Sequence, residues 1–315
     1  MSNKIDLFGR TDIERASLRE KAEAMNAEAI ERWSDAKFRS EVAAEITEAV
    51  FEGFQHENLL PLMATVRNLG FNDRMIEKET TGLRAFWVAR GGYIEESTLR
   101  SETFEVPRDT IGFHVKEHED KILSGFVETQ SSIIQLGIER MDASVNSRFI
   151  ATLEAATPTG GTNHVTGAGI SLAALNAAIR TVREESKTGE VAIIGRATTT
   201  EAVMDTLLGT DLNGSGFLAQ SNEEMVRRGV LGTYRGANLI TLQNYRDEAD
   251  QPYINAADLY VIAKDAATVG LFGGLKSREG LEHASWYWSY VARRDVGFLV
   301  RKPELVVRIT DTNQV

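Results

Sequence analysis

The sequence predicts an α+β fold built from several subdomains, and three patterns predict it. A proline-free run from about Val127 to Ala156 places Ile134, Ile138, Met141, Val145, Phe149 and Leu153 at steps of four, three, four, four and four, which is one stripe of one helix. Short segments rich in β-branched and aromatic residues lie before and after it and read as strands. No internal repeat or low-complexity tract interrupts them, which excludes a solenoid.

Taken in order, Asp12 to about Trp33 is rich in Ala, Glu and Arg, good helix formers. Its apolar positions Ile13, Leu18, Met25 and Ile30 are sparse, so this helix is expected to lie on another surface. Arg39 to Gln55 reads as a second helix through Val42, Ile46, Val50 and Phe51, and Pro61 then turns the chain extended. Between Met75 and Ile122, "GLRAFWVARGG" and "RSETFEVPRDTIGFHV" read as strands with Gly91 and Gly92 as the turn between them. Arg84, Arg90, Glu95, Glu96, Arg100, Glu102 and Glu105 make this two-stranded excursion unusually polar. Such a pair buries little and is marginal alone in water.

The helix from Val127 follows, about 30 residues and roughly 45 Å at 1.5 Å per residue. It ends at "ATPTGGTNHVTGAG", which reads as a loop and a subdomain boundary. Beyond it, Ser171 caps a helix to about Arg183 carrying Leu172, Leu175, Ile179 and Val182 on one side. "EVAIIG" reads as a buried strand and "TTTEAVMDTLLG" as a helix ending at Gly209. "NLITLQNY" and "ADLYVIAKD" read as strands, followed by the Gly-rich "TVGLFGGLKS". "SWYWSYVARRDVGFLV" and "ELVVRITD", where Leu305, Val307 and Ile309 alternate, close the chain as strands.

Composition narrows the function. The chain has 315 residues, 35 basic against 46 acidic, for a formal charge of −11. Bulk attraction to nucleic acid needs the opposite sign. There is no cysteine, which removes disulfides, thiol catalysis and thiolate metal sites together. Neither a signal peptide nor an apolar run of membrane-spanning length is legible, so a soluble protein of a cytoplasm-like compartment is expected.

Catalytic and ligand-binding patterns fail on inspection, and neither a catalytic residue, a cofactor site nor a metal site is expected. His114 and His118 would share a helix face, but Val106 to Val115 reads as strand, which separates them by about 13 Å at roughly 3.3 Å per residue. "GLFGGLKS" is not a phosphate loop, because Leu275 intervenes between Gly274 and Lys276. Gly167 and Gly169 precede a helix, yet Leu172 stands where the dinucleotide fingerprint needs glycine. No G-x-S-x-G elbow accompanies the five histidines. Trp286, Tyr287, Trp288 and Tyr290 read as core or interface, with Trp286 and Trp288 on one face of a strand.

The order of parts is a helical arm, a polar hairpin, a long helix, a Gly-rich hinge, an α/β region and closing strands. It resembles the major capsid proteins of tailed bacteriophages, whose Johnson fold is shared with herpesvirus shells and encapsulins. The run Gly216 to Tyr245 carries the resemblance, with Gly229, Leu231, Gly232 and Gly236 matching the family's Gly-x-Leu-Gly-x-x-x-Gly turn that leads into a strand. "ADLYVIAKDAATVGLF" and "VARRDVGFLVRKPELVVRIT" are similar to its later strands. Asn238 stands where many members have proline.

The resemblance implies an N-terminal arm (1–60), an extended β-hairpin loop (71–115), a peripheral subdomain with a long spine helix (116–159 and 294–315) and an axial subdomain (160–293). It implies a virion structural protein, made late in infection, that self-assembles in the bacterial host cytoplasm into pentamers and hexamers of an icosahedral shell. That shell would enclose double-stranded DNA without reading its sequence. Partners would be further copies of the chain, a portal and, in some relatives, a decoration protein. An encapsulin-type nanocompartment is the alternative. The arm-like helix begins within about 12 residues, so scaffolding is expected as a separate protein. The loop between Arg84 and Arg108 contains no lysine, so a shell without lysine crosslinks is expected. Arm and hairpin are expected to find burial by lying across neighbouring copies, with Arg84, Arg90, Glu95, Glu96 and Arg100 in ion pairs between subunits, each worth little unless networked.

Overall fold

A computed structural model of the chain describes residues 12–57, 60–81, 98, 100–196, 199–200, 203, 230–242, 255, 257–282 and 286–313. In chain order the elements are α1 (Asp12–Arg32), α2 (Ala36–Glu57), α3 (Leu60–Met63), β1 (Thr65–Leu69), β2 (Ile76–Thr81), β3 (Arg100–Glu105) and β4 (Asp109–His118). They continue with α4 (Glu119–Ser124), α5 (Phe126–Ala156), β5 (His164–Gly167), α6 (Leu172–Glu185), β6 (Val191–Arg196), β7 (Val230–Tyr234) and β8 (Ala237–Leu242). The last are β9 (Asp258–Ala263), β10 (Ala267–Glu282), β11 (Tyr287–Val300), a short 3-10 turn at Pro303–Leu305 and β12 (Val306–Asp311). They form two units, Met1–Asn58 with Thr110–Val145 and Gly274–Arg294, and Leu59–Asp109 with Asn146–Gly273 and Asp295–Val315.

The first unit is organised around aromatic packing. Trp33, in the bend between α1 and α2, is 1% exposed. Its ring meets Phe38, Phe126 and Trp288 edge-on at 6.5, 5.9 and 5.8 Å. Trp288 stacks on Tyr290 at 5.8 Å, and the Tyr290 hydroxyl shares a 2.8 Å hydrogen bond with that of Thr47 on α2. Val42, Ala43, Ile46 and Val50 bury the inner face of α2, while Asn26 accepts from the Val127 N–H at 3.1 Å. The helical arm therefore does lie on another surface, but the surface belongs to its own chain. The expectation that it finds burial only across neighbouring copies does not hold from Trp33 to Val50, because the matching aromatic face is supplied by β11 and α5.

Strands β10, β11 and β4 lie side by side in this unit. Along β11, Trp288, Tyr290, Ala292 and Arg294 are buried and Val291 and Arg293 exposed, the alternation of a sheet packed on one face. Trp286 breaks the expected pairing with Trp288. It lies just before the strand at φ +54°, 62% exposed, whereas Trp288 is core. Gly137, within α5, has its missing Cβ position 2.8 Å from the Phe113 ring, so this glycine permits a close helix–strand contact.

The second unit is built on a six-stranded sheet in the order β5-β12-β9-β6-β8-β7. Pairing is parallel for β6 with β8 and for β12 with β5, and antiparallel elsewhere. Every residue of β9 and β12 is buried, as are Val191 to Gly195 of β6, which is why these segments read as nearly continuous apolar runs. Ser171 caps α6 by accepting from the Ala174 N–H, and Leu175, Ala178, Ile179 and Val182 seat it. Strand β1 pairs in parallel with the first part of β10, from Thr65 opposite Thr268 to Leu69 opposite Phe272.

Several expectations change. The stretch read as a loop before Ser171 contains β5, because its backbone pairs with β12 from His164 to Gly167. The Gly-rich "TVGLFGGLKS" lies within the sixteen-residue β10, from its second residue on. Pro61 sits inside the short α3, where a first-turn proline loses no hydrogen bond. The strand expected from Arg100 to Val115 is two strands in different sheets, divided at Val106 to Arg108. Leu305 ends the 3-10 turn, and β12 has no exposed face for an alternation. Its hydrogen bonds put 306–311 in the six-stranded sheet with β9 and β5. The helix read from 198 to 209 is described only at Thr199, Thr200 and Val203.

Two substitutions check this packing. A Cβ on Gly112 would stand 2.4 Å from the Ala292 carbonyl oxygen of the facing strand, so Gly112→Ala should cost about 1–3 kcal/mol in urea unfolding. Trp33→Ala should cost about 3–5 kcal/mol and speed hydrogen exchange along α1 and α2; unchanged exchange there would refute the docking of the arm on its own unit.

Candidate functional site

The polar hairpin begins at a fixed root in the second unit. Strands β2 and β3 pair antiparallel from Ile76 opposite Glu105 to Thr81 opposite Arg100. Residues 82–97, and with them Arg84, Arg90, Glu95, Glu96, Gly91 and Gly92, lie outside the described residues. Along β3, Arg100, Ser101, Glu102, Thr103 and Glu105 are exposed, so this strand gains little burial from its own chain.

At the root the polarity inverts. Ile76 is 49% exposed, and Glu77 beside it is 3% exposed. The Glu77 carboxylate sits 3.1 Å from the Arg67 guanidinium and 3.3 Å from that of Arg301, and Arg301 also donates to the Asp265 carbonyl at 3.2 Å. Beneath it Met75, Val106 and Phe272 form an apolar cluster with Leu69 and Leu299 against it, and the Val106 N–H donates to the Met75 carbonyl at 3.1 Å. Arg108 completes the clamp. It pairs with Asp295, donates to the Phe71 carbonyl at 2.7 Å and lies over the rings of Phe71 and Phe272 at 4.7 and 4.9 Å. Sequence reading missed Glu77, Arg108 and Arg301 as positioning residues. Only the long-range pairing of β1, β10 and β11 brings their partners together, and no local pattern announces it.

The turn glycines separate into two kinds. Gly236 takes φ +76° after Arg235 at φ +49°, a two-residue hairpin turn with both centres left-handed, where glycine carries no Cβ penalty. Gly232 lies inside β7, at the register shift next to Val230, and is not a turn residue. Gly229 falls outside the described residues.

One polar chain links β5, β12 and β9 of the six-stranded sheet, and is buried at its centre. The Gly160 N–H donates to His164 Nδ1 at 3.2 Å, which leaves the proton on Nε2 to be donated to Thr310 Oγ1 at 2.8 Å. The Thr310 hydroxyl donates to Asp258 at 2.5 Å, and Arg308 donates to the other Asp258 oxygen at 2.6 Å while its second terminal nitrogen lies 3.4 Å from Glu154. The hydroxyl's proton is committed to the carboxylate, not to the histidine, so this order is not that of a nucleophile activated by a base. Burial, then Arg308, push the His164 imidazole below 6.5, with Asp258 opposing. Elsewhere in the unit burial pushes the Asp265 carboxyl up, and hydrogen bonds from Ser186 and Lys187 outweigh it to hold the group below its usual range. Strand β4 carries His114 and His118 four residues apart along an extended backbone. Among the described residues no group of three His, Asp or Glu side chains could hold a metal ion, and no helix is long and apolar enough to cross a membrane.

Because the folded chain favours neutral His164, its contribution to stability is complete above pH 6.5 and is lost as pH falls below it. Urea unfolding on either side of that pH should show a loss in the wild-type chain that His164→Gln lacks; equal losses would sink the assignment.

Comparison with known proteins follows the same lines. No curated protein matches the chain. The model of the family described as "SPbeta prophage-derived putative capsid protein YonB" matches residues 15–302. Among solved structures, that of Microbacterium phage Oxtober96 is 14% identical with a TM-score of 0.58, covering 81% of this chain and 91% of that one. The capsid of the cyanophage P-SCSP1u is 13% identical with a TM-score of 0.55, covering 78% and 86%. The capsid of an empty GTA particle is 12% identical with a TM-score of 0.57, covering 80% and 88%. At these identities the likeness is one of fold, and the fold is that of phage major capsid proteins. With a matched family spanning all but the ends of the sequence, the chain belongs to the YonB family of prophage-derived capsid proteins.

Proposed function

We propose that this capsid protein is the major shell subunit, assembling into pentamers and hexamers of an icosahedral shell that encloses double-stranded DNA. The observation that carries the reading is the two-stranded β2–β3 hairpin. Its β3 side chains are exposed while its root is clamped by Glu77 and Arg108, so the strands gain burial when laid on another copy. Contacts of moderate strength, repeated around a closed shell, add up to high stability. The role is structural, not catalytic. A charge of −11 suits a wall that contains DNA without gripping it.

The proposed parts are an arm (1–60), an extended loop (71–115), a peripheral subdomain (116–159 and 294–315) and an axial subdomain (160–293). Arg84, Arg90, Glu95, Glu96 and Arg100 are the proposed ion-pairing positions between subunits. Assembly in the bacterial cytoplasm would use a separate scaffolding protein and a portal, a decoration protein being an optional outer partner. The absence of lysine between Arg84 and Arg108 predicts a shell held without lysine crosslinks.

Electron microscopy of the expressed protein tests assembly directly. Closed icosahedral particles are expected, and a monodisperse monomer in assembly-permissive buffer would overturn the reading. Enzyme-filled particles from cells would speak for a nanocompartment instead. Arg100→Glu should lower particle yield and heat resistance; unchanged values would remove Arg100 from the contact.

A further inference from the structure

Outside the hairpin, the most exposed large apolar side chain among the described residues is Trp286, at 62%. It is also one of two non-glycine residues described with positive φ, at +54°. For a bulky residue that backbone is strained, and such strain persists only where the surroundings over-determine it. Here the Glu119 N–H donates to the Trp286 carbonyl at 2.9 Å, tying the residue to the corner where β4 enters α4. Trp288, two residues on, is buried in the core. Of this pair, Trp288 is held in the core and Trp286 is presented to solvent from a fixed backbone.

The surroundings are pre-arranged. The next ring, Tyr287, is met edge-on by His118 at 5.3 Å and covered by Lys116 at 5.0 Å. Lys116 pairs with Glu282 at 2.8 Å, and on the same corner Lys121 pairs with Glu117 at 2.7 Å. Among the described residues, Lys116 and Lys121 at this corner are each matched by an anion of the same chain. A polyanion or an anionic bilayer needs a cationic excess to bind, which this corner lacks. Another copy of a chain carrying −11 meets less repulsion here than over unpaired acidic surface. Rigid, amphipathic tryptophans beside neutralised charge are where interface energy concentrates.

We propose that Trp286 is an aromatic anchor that is buried in a contact with a second copy of this chain, with Tyr287 and the Lys116–Glu282 pair forming the rim around it. The inference rests on the shell reading and adds a specific contact to it.

The experiment compares wild type, Trp286→Gly and Trp286→Phe as full-length chains. Glycine accepts the left-handed backbone, so the unassembled Trp286→Gly subunit should unfold in urea at or above the wild-type midpoint. Its particle yield, by sedimentation and electron microscopy at equal subunit concentration, should fall about tenfold or more, with Trp286→Phe between the two. Trp286→Gly particles with wild-type yield and heat resistance would overturn the anchor while leaving the shell reading intact. A fall in yield matched by a lower urea midpoint would also overturn it, since the residue would then act on folding. Failure of the wild-type chain to form particles would remove the anchor together with the shell reading.

Discussion

The assembly reading depends on one buried carboxylate. Glu77 is held between the guanidinium groups of Arg67 and Arg301, and that pairing decides which way the β2–β3 hairpin faces. Removing one partner from a buried pair leaves an uncompensated charge, a cost of about 3–5 kcal/mol. Because side chains alternate, a one-residue slip of β2 would carry Glu77 to the solvent face and Ile76 inward, and would take the carboxylate away from the largely buried Arg301 guanidinium. The ion pairs thus act against the hydrophobic preference of Ile76 and win, since a buried carboxylate must be paired while an exposed isoleucine is tolerated.

That inversion also marks where sequence reading succeeds and fails. The long helix α5, the Ser171-capped α6 and the strands β6 and β9 were legible because local periodicity, capping and continuous apolar character all agree at those positions. Ile76 and Glu77 were not, because an alternation read in isolation puts the isoleucine inside, and the two arginines that reverse it come from 67 and 301. Trp286 and Trp288 were assigned to one face on strand geometry, yet a single left-handed residue at the strand entrance turns the first of them out. The helical arm does meet a partner surface, though not through the apolar face read for α1: Met25 and Ile30 are exposed, while Ala29 and Trp33 are buried. The location of that surface on β11 and α5 of the same chain could not be read, since Trp33 and Trp288 are distant in sequence.

The two units divide the labour of stability differently. The six-stranded sheet is dry on its central strands and accommodates Arg308 only because Asp258 and Glu154 meet it. Within the polar chain from His164 to Arg308, burial and then Arg308 hold the His164 imidazole in its neutral form to lower pH than a free histidine. The other unit rests on stacked and edge-on aromatic rings with few buried charges, and rings of this kind add directional preference to the area they bury.

Each unit is made of three stretches of chain, and α5, β10 and β11 each run from one unit into the other. Neither unit can therefore be lifted out as a continuous stretch of gene. A single crossover within the gene can transfer neither unit intact, and a chain recombined in this way would mix residues from both parents inside one core.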